Sequence, residues 1–437
     1  MPLRNWLAIV MVSALSLACW QASQGARSKD EAAELYGVFV DAVEQVQQNY
    51  VRPVNRRELM ESALRGMLGD LDQHSPYINT TQWKAFKRQI EGKFGGLGMN
   101  VEIDEDSKRL KVVAPMVGTP AYQGGVMAGD IVMEVDGTST EGLTLDKAIE
   151  LLQGQPGTPI RLQVLHEASE KAETLTLTRA IIEVPSVMGD KRKANDEWDF
   201  MLDPARKIGY IRITNFIQNT VDEIKAALKE LEAQGMKGLV VDLRDDPGGL
   251  LSAAVEISDL FVEAGKIVST RGRNTPEKTY EARKDGTYTG FPMVVMVNHN
   301  SASASEILAA CLQDHDRALV VGERSFGKGS VQNILDLEDG DSVLKLTVAT
   351  YWRPSGKNIH KFKNAKDSDE WGVSPSPGLE VKLGPQEYAD WFLARRERDF
   401  VSSHNQPKAA KAGDKSKTYA DKQLDKSLAV LTEKLPK

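Results

Sequence analysis

The chain has 437 residues, 41% of them hydrophobic and 27% charged, with a formal net charge of −7. That length suits two or three domains around a large core. The composition is ordinary for a globular protein, and the negative balance gives no electrostatic case for a nucleic-acid partner. Two cysteines permit one disulfide at most. Cys19 falls in the leader and Cys311 in an apolar helix, so none is expected.

Residues 1–22 read as a signal peptide. Arg4 supplies a positive start, and Trp6 to Ala18 is an apolar run too short to span a bilayer. Ser16 and Ala18 suit a signal-peptidase cut before Cys19. The alternative is a lipoprotein acylated on Cys19, but "SLAC" lacks the usual leucine three residues earlier. Both readings put the mature chain outside the cytoplasm.

Residues 30–92 form a predicted helical region. Leu35, Val38, Phe39, Ala42, Val43 and Val46 recur at helical spacing, and Pro53 closes that helix. A second helix is expected from about Arg57 to Leu68, then a turn at "LDQHSPY", then a short helix from Gln82 to Gln89.

From 94 to 182 short β-rich runs alternate with glycine turns around one helix, Leu145 to Leu152. "IRLQVLH" and "ETLTLTR" alternate as a closing hairpin. The order of "GGLGMNV", a Gly-Asp turn at Gly129 and Asp130, and "VDG" resembles a PDZ domain. In such a loop, glycines let the backbone N–H groups of Gly96, Leu97, Gly98 and Met99 converge on a peptide's terminal carboxylate. The peptide then lies as a strand along "MNVEI", with its last side chain in an apolar pocket.

The segment from 183 to 395 is α/β. "IGYIRI", "GLVVDLR", "MVVMV" and "RALVVGE" read as buried strands separated by helices, which implies a mainly parallel sheet. The helix at "TVDEIKAALKELEAQG" carries a capping-box pattern, Thr220 with Glu223. "DDPGG" is a turn, and "VLKLTVATYW" alternates as a strand. Residues 396–437 are expected to be a flexible linker and a terminal helix, whose Leu424, Leu428, Leu431 and Leu435 form a stripe for packing on its own or a sister subunit.

Chemistry concentrates in two stretches. "NHNSASASEILAACL" brings Ser301, Ser303 and Ser305 to a helix start, and "ERSFGKGSVQ" sets Lys328 between glycines with Gln332 four residues on. A serine start alone suggests a cap, with Ser301 or Ser305 doing that job; a lysine between glycines alone suggests a turn. His299 and His315 are the histidines that a Ser-His reading would need. No HExxH zinc pattern, phosphate loop or GxSxG elbow is present.

The order strand, "SASASE", helix, strand, "FGKGSVQ", together with "DLRDDPGG", "LDQHSPY" and the PDZ-like segment, resembles the carboxy-terminal processing (tail-specific) proteases over roughly residues 30–380. The resemblance implies a multidomain α/β (α+β) fold with a mainly parallel, crotonase/Clp-like sheet-and-helix protease core. A PDZ domain at 94–182 would be inserted in it, and the helical region 30–92 would pack on that core. It implies Ser303 as nucleophile, Lys328 as general base and Gln332 holding the lysine, with no cofactor and no metal. A lysine can serve as base only when neutral, which needs burial to lower its pKa from ~10.4. The oxyanion would be met by the N–H of Ala304 at the helix start and by that of Gly248 or Gly249. Relatives usually have Asn where Asp246 stands, which leaves the role of Asp246 open. The expected activity is a periplasmic serine endopeptidase that cuts envelope proteins near apolar C-termini, with the PDZ domain gating the site. The expected partners are a helical-repeat lipoprotein adaptor and further copies of the chain, with the Leu35–Val46 helix and the Leu424–Leu435 stripe as assembly surfaces. The rival reading is a non-catalytic PDZ scaffold that keeps a protease fold.

Overall fold

The computed structural model describes residues 34–167, 169, 171–399 and 419–435. The signal peptide, Cys19 and the linker expected at 404–418 lie outside the described residues. Two compact units are distinguished, Met1–Thr80 with Ile334–Leu346, and Thr81–Asn333 with Thr347–Lys437.

In the first unit, residues 34–49 are helical and a second helix spans Arg56–Gly69. Asn55 caps the latter, its side chain accepting from the Arg57 N–H. Tyr77 and Ile78 pair antiparallel with Leu344 and Val343, and Arg57 forks onto both carboxylate oxygens of Glu338. The apolar stripe of the first helix stays open to solvent, with Leu35 73% and Val38 69% exposed.

In the second unit the strands Ile208–Ile213, Gly238–Asp242, Met293–Val297 and Ala318–Gly322 lie side by side, all parallel. Two short antiparallel strands, Val187–Met188 and Met201–Asp203, flank the first. The sheet is buried on both faces, and the alternation along each strand sorts its side chains. Leu239, Val241, Val295 and Val297 enter one core with the helices Thr220–Ala233, Leu251–Asp259 and Ala304–Asp314. Val240, Val294 and Met296 point the other way, onto the helix Lys422–Lys434.

That last packing decides the leucine stripe. Leu424 and Leu431 are buried against Ile208, Tyr210 and Val321, with Leu428 and Leu435 beside them. The stripe is used within its own chain and is not an assembly surface. The capping box also fails to form. Asn219 takes the cap position of its helix, because the Glu223 carboxylate accepts the N–H and hydroxyl of Ser186 and the N–H of Val187 instead.

The β-rich segment is set in between two antiparallel strands, Lys93–Gly96 and Ala180–Glu183, which pair residue for residue as a stem. Beyond the stem, five strands run in the order 99–103, 110–115, 131–135, 159–165 and 173–178. The helix Leu145–Leu152 closes a separate core around Leu110, Leu162 and Val164.

Candidate active site

The interior strand Met293–Val297 delivers the serine stretch to the carboxyl end of the parallel strands, and a helix begins at Ala304. Neither Ser301 nor Ser305 caps it. Ser301 Oγ accepts the Asn298 N–H at 2.9 Å and donates to the Leu243 carbonyl at 2.8 Å. Ser305 Oγ donates to the Asp246 carbonyl at 3.0 Å. Both are anchors that tie the stretch to the "DLRDDPGG" loop. Ser303 stands at the cap position with φ +59° and ψ −112°, outside the regions open to an ordinary side chain. Such strain persists only where the surroundings impose it.

What imposes it is Glu306, one turn into the helix and fully buried. Its Oε2 accepts the Ser303 N–H at 2.8 Å and the Lys328 N–H at 2.8 Å. Its Oε1 accepts the Ser325 hydroxyl at 2.5 Å and the Gly327 N–H at 2.6 Å. The main-chain nitrogens of residues 303 and 328 therefore lie no further apart than twice 2.8 Å. A further bond, Phe326 N–H to the Ser301 carbonyl at 2.9 Å, fastens the same two loops. Burial pushes the Glu306 carboxyl up to about 7, against the four hydrogen bonds that favour its ionised form.

Lys328 is partly buried, and that burial pulls its pKa below the ordinary lysine value, opposed by the nearby Glu306 charge. The Gln332 amide donates to Ser330 Oγ at 2.8 Å and Thr347 Oγ1 at 3.3 Å. The Lys328 loop is held from its other side by residues 359–361: the Lys361 N–H donates to the Gly327 carbonyl at 2.8 Å.

The glycine turn closes on the helix start. Gly248 has φ +93°, and a Cβ there would sit 2.5 Å from the Ala302 carbonyl and 2.7 Å from the Ala304 nitrogen. Only glycine permits that approach. Its N–H donates to Asp246 Oδ1 at 2.8 Å, while Gly249 beside it is exposed. The candidates Ser303, Ala304, Gly248 and Lys328 are thus gathered into one place. The two candidate histidines bond other groups: His315 the Lys266 carbonyl at 2.8 Å, and His299 the Glu323 carboxylate at 2.9 Å. Cys311 is a fully buried core residue.

Under the turn, Asp242 holds Arg244 and accepts the Tyr210 hydroxyl at 2.7 Å. Arg244 also pairs with Asp421 at 2.9 Å and lies over the Trp391 ring. Asp421 in turn caps the helix Lys422–Lys434. Sequence reading passed over Glu306 and this Asp-Arg pair. The signal for Glu306 was present: it is the one charged side chain in "ASEILAACL", a run otherwise apolar or small.

In the β-rich domain, a groove of about 270 Å³ runs between the strand Met99–Ile103 and the helix Leu145–Leu152. Gly96, Leu97, Gly98 and Met99 line its end, with Ile149 and Leu152 along its wall. Phe94, Ile149 and Gln153 are shared with a cavity of about 880 Å³ that reaches Thr214 and Asn215. Asn215 Oδ1 lies 2.9 Å from where a Cβ on Gly249 would be, so the cavity leads from the groove toward the glycine turn.

A strand-delivered serine at a helix start, and a β domain whose groove ends on glycines, are the parts a PDZ-bearing serine protease would have. Comparison with known proteins agrees: residues 207–369 match peptidase family S41 and residues 111–165 match the PDZ domain. A "Carboxy-terminal-processing protease" of Bartonella bacilliformis is 37% identical over 368 residues, covering 83% of this chain and 81% of that one. The "Carboxy-terminal processing protease CtpA" of Bacillus subtilis is 34% identical, covering 80% and 73%. A solved structure titled "Photosystem II D1 C-terminal processing protease" superposes at a TM-score of 0.44 with 31% identity, over 78% of this chain and 92% of that one. The chain belongs to the carboxy-terminal processing proteases, the PDZ-containing serine endopeptidases of family S41.

Proposed function

We propose that this protease works through a Ser303–Lys328 dyad. The observation that carries the reading is the shared Glu306 oxygen, which holds the main chain at both residues at 2.8 Å. Burial favours the neutral amine that a base must be. Lys328 Nζ takes the Ser303 Oγ proton as Oγ attacks the scissile carbonyl. The oxyanion is met by the Ala304 N–H and by that of the exposed Gly249, the Gly248 N–H being held by Asp246 Oδ1. Lys328 passes its proton to the departing amine, leaving an acyl-enzyme. Water, deprotonated by the Lys328 amine, then attacks the acyl carbon; the bond to Oγ breaks, the acid leaves, and Lys328 returns the proton to Ser303 Oγ. In this reading Gln332 steadies the lysine: with its amide donors taken by Ser330 and Thr347, its carbonyl oxygen is left to accept from Nζ.

The substrate reading rests on the groove. Its apolar wall and the glycine end formed by Gly96 to Met99 fit an apolar peptide C-terminus added as a strand to Met99–Ile103. The cavity toward Asn215 gives such a chain a course to the dyad. The domain reading is a signal peptide at 1–22, a helical region at 30–92, the PDZ domain at 94–182, the protease core at 183–395 and a linker with terminal helix at 396–437. With that leader, the enzyme is a periplasmic one acting on envelope proteins. The exposed Leu35 and Val38 support self-assembly or an adaptor through the first helix.

The test is degradation of an apolar-tailed substrate by the full chain and by Ser303→Ala, Lys328→Ala and Lys328→Arg forms. All three variants should fall to background. Arginine fails because its guanidinium keeps its proton. Equal cutting by wild type and variants would refute the dyad. No cutting by any form, with candidate adaptors present, would favour the scaffold reading.

A further inference from the structure

The surroundings of Asp246 are unusual for an acid. It is completely buried. Oδ1 accepts one hydrogen bond, from the Gly248 N–H at 2.8 Å, and Oδ2 is buried with no partner among the described residues. The charged neighbours are all committed elsewhere. Arg244 is bound to Asp242 and Asp421. Asp245 is bound to Asn298, Asn300 and the Tyr388 hydroxyl. Glu306 is spent on Ser303, Ser325, Gly327 and Lys328, and Lys328 makes no ion pair with Asp246. A carboxylate with no cation and one N–H donor does not survive such burial; the acid keeps its proton instead.

Meanwhile the Asp246 main-chain carbonyl accepts the Ala302 N–H at 3.0 Å and the Ser305 hydroxyl at 3.0 Å. One residue therefore clasps the glycine turn with its side chain and the start of the serine helix with its backbone. Resting on the dyad reading above, we propose that Asp246 is a positioning residue of the oxyanion site that works as a neutral acid in place of an amide. Its proton keeps negative charge away from the place where the substrate oxyanion forms. Burial does push this carboxyl well above its ordinary range, with hydrogen bonds from Gly248 and Ser305 opposing. The acid therefore ionises only well above the usual carboxylate range, and ionisation sets a second negative charge beside the developing one. Lys328 sets the acid limb of the rate profile, since it must lose its proton; Asp246 sets the alkaline limb, since it must keep its own.

The experiment is the pH dependence of labelling of the full chain by a fluorophosphonate probe, for wild type, Asp246→Asn and Ser303→Ala, with circular dichroism to confirm folding at each pH. Infrared difference spectra of wild type against Asp246→Asn at neutral pH accompany it. Wild type should lose labelling rate on the alkaline side by about tenfold per pH unit once the acid ionises. Asp246→Asn, isosteric and unable to ionise, should hold its rate there and share the acid limb. The difference spectrum should contain a protonated-carboxyl carbonyl stretch. A merely structural Asp246 would shift neither the alkaline limb nor that band. Superimposable alkaline limbs, or absence of the band, overturn the inference while Ser303-dependent labelling leaves the dyad standing. Labelling that is equal in Ser303→Ala, or absent from wild type at every pH, sinks the dyad and takes this inference with it.

Discussion

Replacing Glu306 by glutamine separates what this carboxyl does for the site from what it costs the fold. Four donors converge on it, Ser325 Oγ and Gly327 N–H on one oxygen, Ser303 and Lys328 N–H on the other. A carboxamide has a single accepting oxygen, so its amino group faces two of those donors, and two charge-assisted bonds are lost at about 1.5–3 kcal/mol each. Burial acts in the opposite sense. It holds the carboxyl at about 7 where the ordinary value is 4.5, a penalty on the ionised form of about 3 kcal/mol above neutrality. The sign follows from proton counts. Between those two values the folded chain keeps a proton that the unfolded chain has released. The Glu306 contribution is therefore fully present below about 4.5 and is lost as pH rises through about 7. Glutamine has no such dependence. The unfolding free energy of wild type minus that of Glu306→Gln should fall by about 3 kcal/mol between about pH 4 and about pH 8, read from urea denaturation at each pH. The same variant should lose about 100-fold in kcat/KM, because a displacement of ~1 Å between nucleophile and base is worth that much. A variant within twofold of wild-type rate would refute the hub, and a flat stability difference would refute the buried carboxyl's titration.

Two further outcomes are expected. Gly248→Ala drives a Cβ to 2.5 Å from the Ala302 carbonyl at a positive φ, so kcat should drop by about 100-fold or more, while calorimetry finds apolar-tailed peptides bound by the PDZ groove as before; unchanged kcat would remove the turn from the oxyanion site. Leu431→Ala empties a fully buried position on the sheet's second face and should cost about 2–5 kcal/mol of stability, seen in thermal melts, with little change in turnover at low temperature. An unaltered melt would mean that the helix contributes nothing there.

Most of the scaffold was legible because hydrophobic periodicity is local. "MVVMV" is apolar at every position, as a strand covered on both faces must be, and the Leu145–Leu152 helix has the bounds its pattern predicts. The failures share a cause, which is competition from groups distant in sequence. Thr220 and Glu223 have the spacing of a capping box, but Ser186 and Val187 claim the carboxylate. Ser301 and Ser305 suit a cap, but carbonyls of the 243–246 loop take their hydroxyls. The leucine stripe was visible, and which surface it met was not, because no periodicity encodes the partner face. Within the site, the family resemblance implied Ser303 and Lys328, where residue types alone suggested a cap and a turn. The carboxylate that ties their loops together was hidden in a helix that looked like plain core.

The helix Lys422–Lys434 carries a consequence for maturation. It roofs one side of a sheet whose strands begin far upstream, and Asp421 at its tip neutralises Arg244 beneath the glycine turn. A polypeptide emerging in order makes the catalytic loops first and this lid last. Until the lid docks, Tyr210 and Val240 face water and a buried guanidinium lacks one of its counter-ions. Docking of this late segment is therefore the step that closes the second face of the sheet and completes the ion pairs of Arg244.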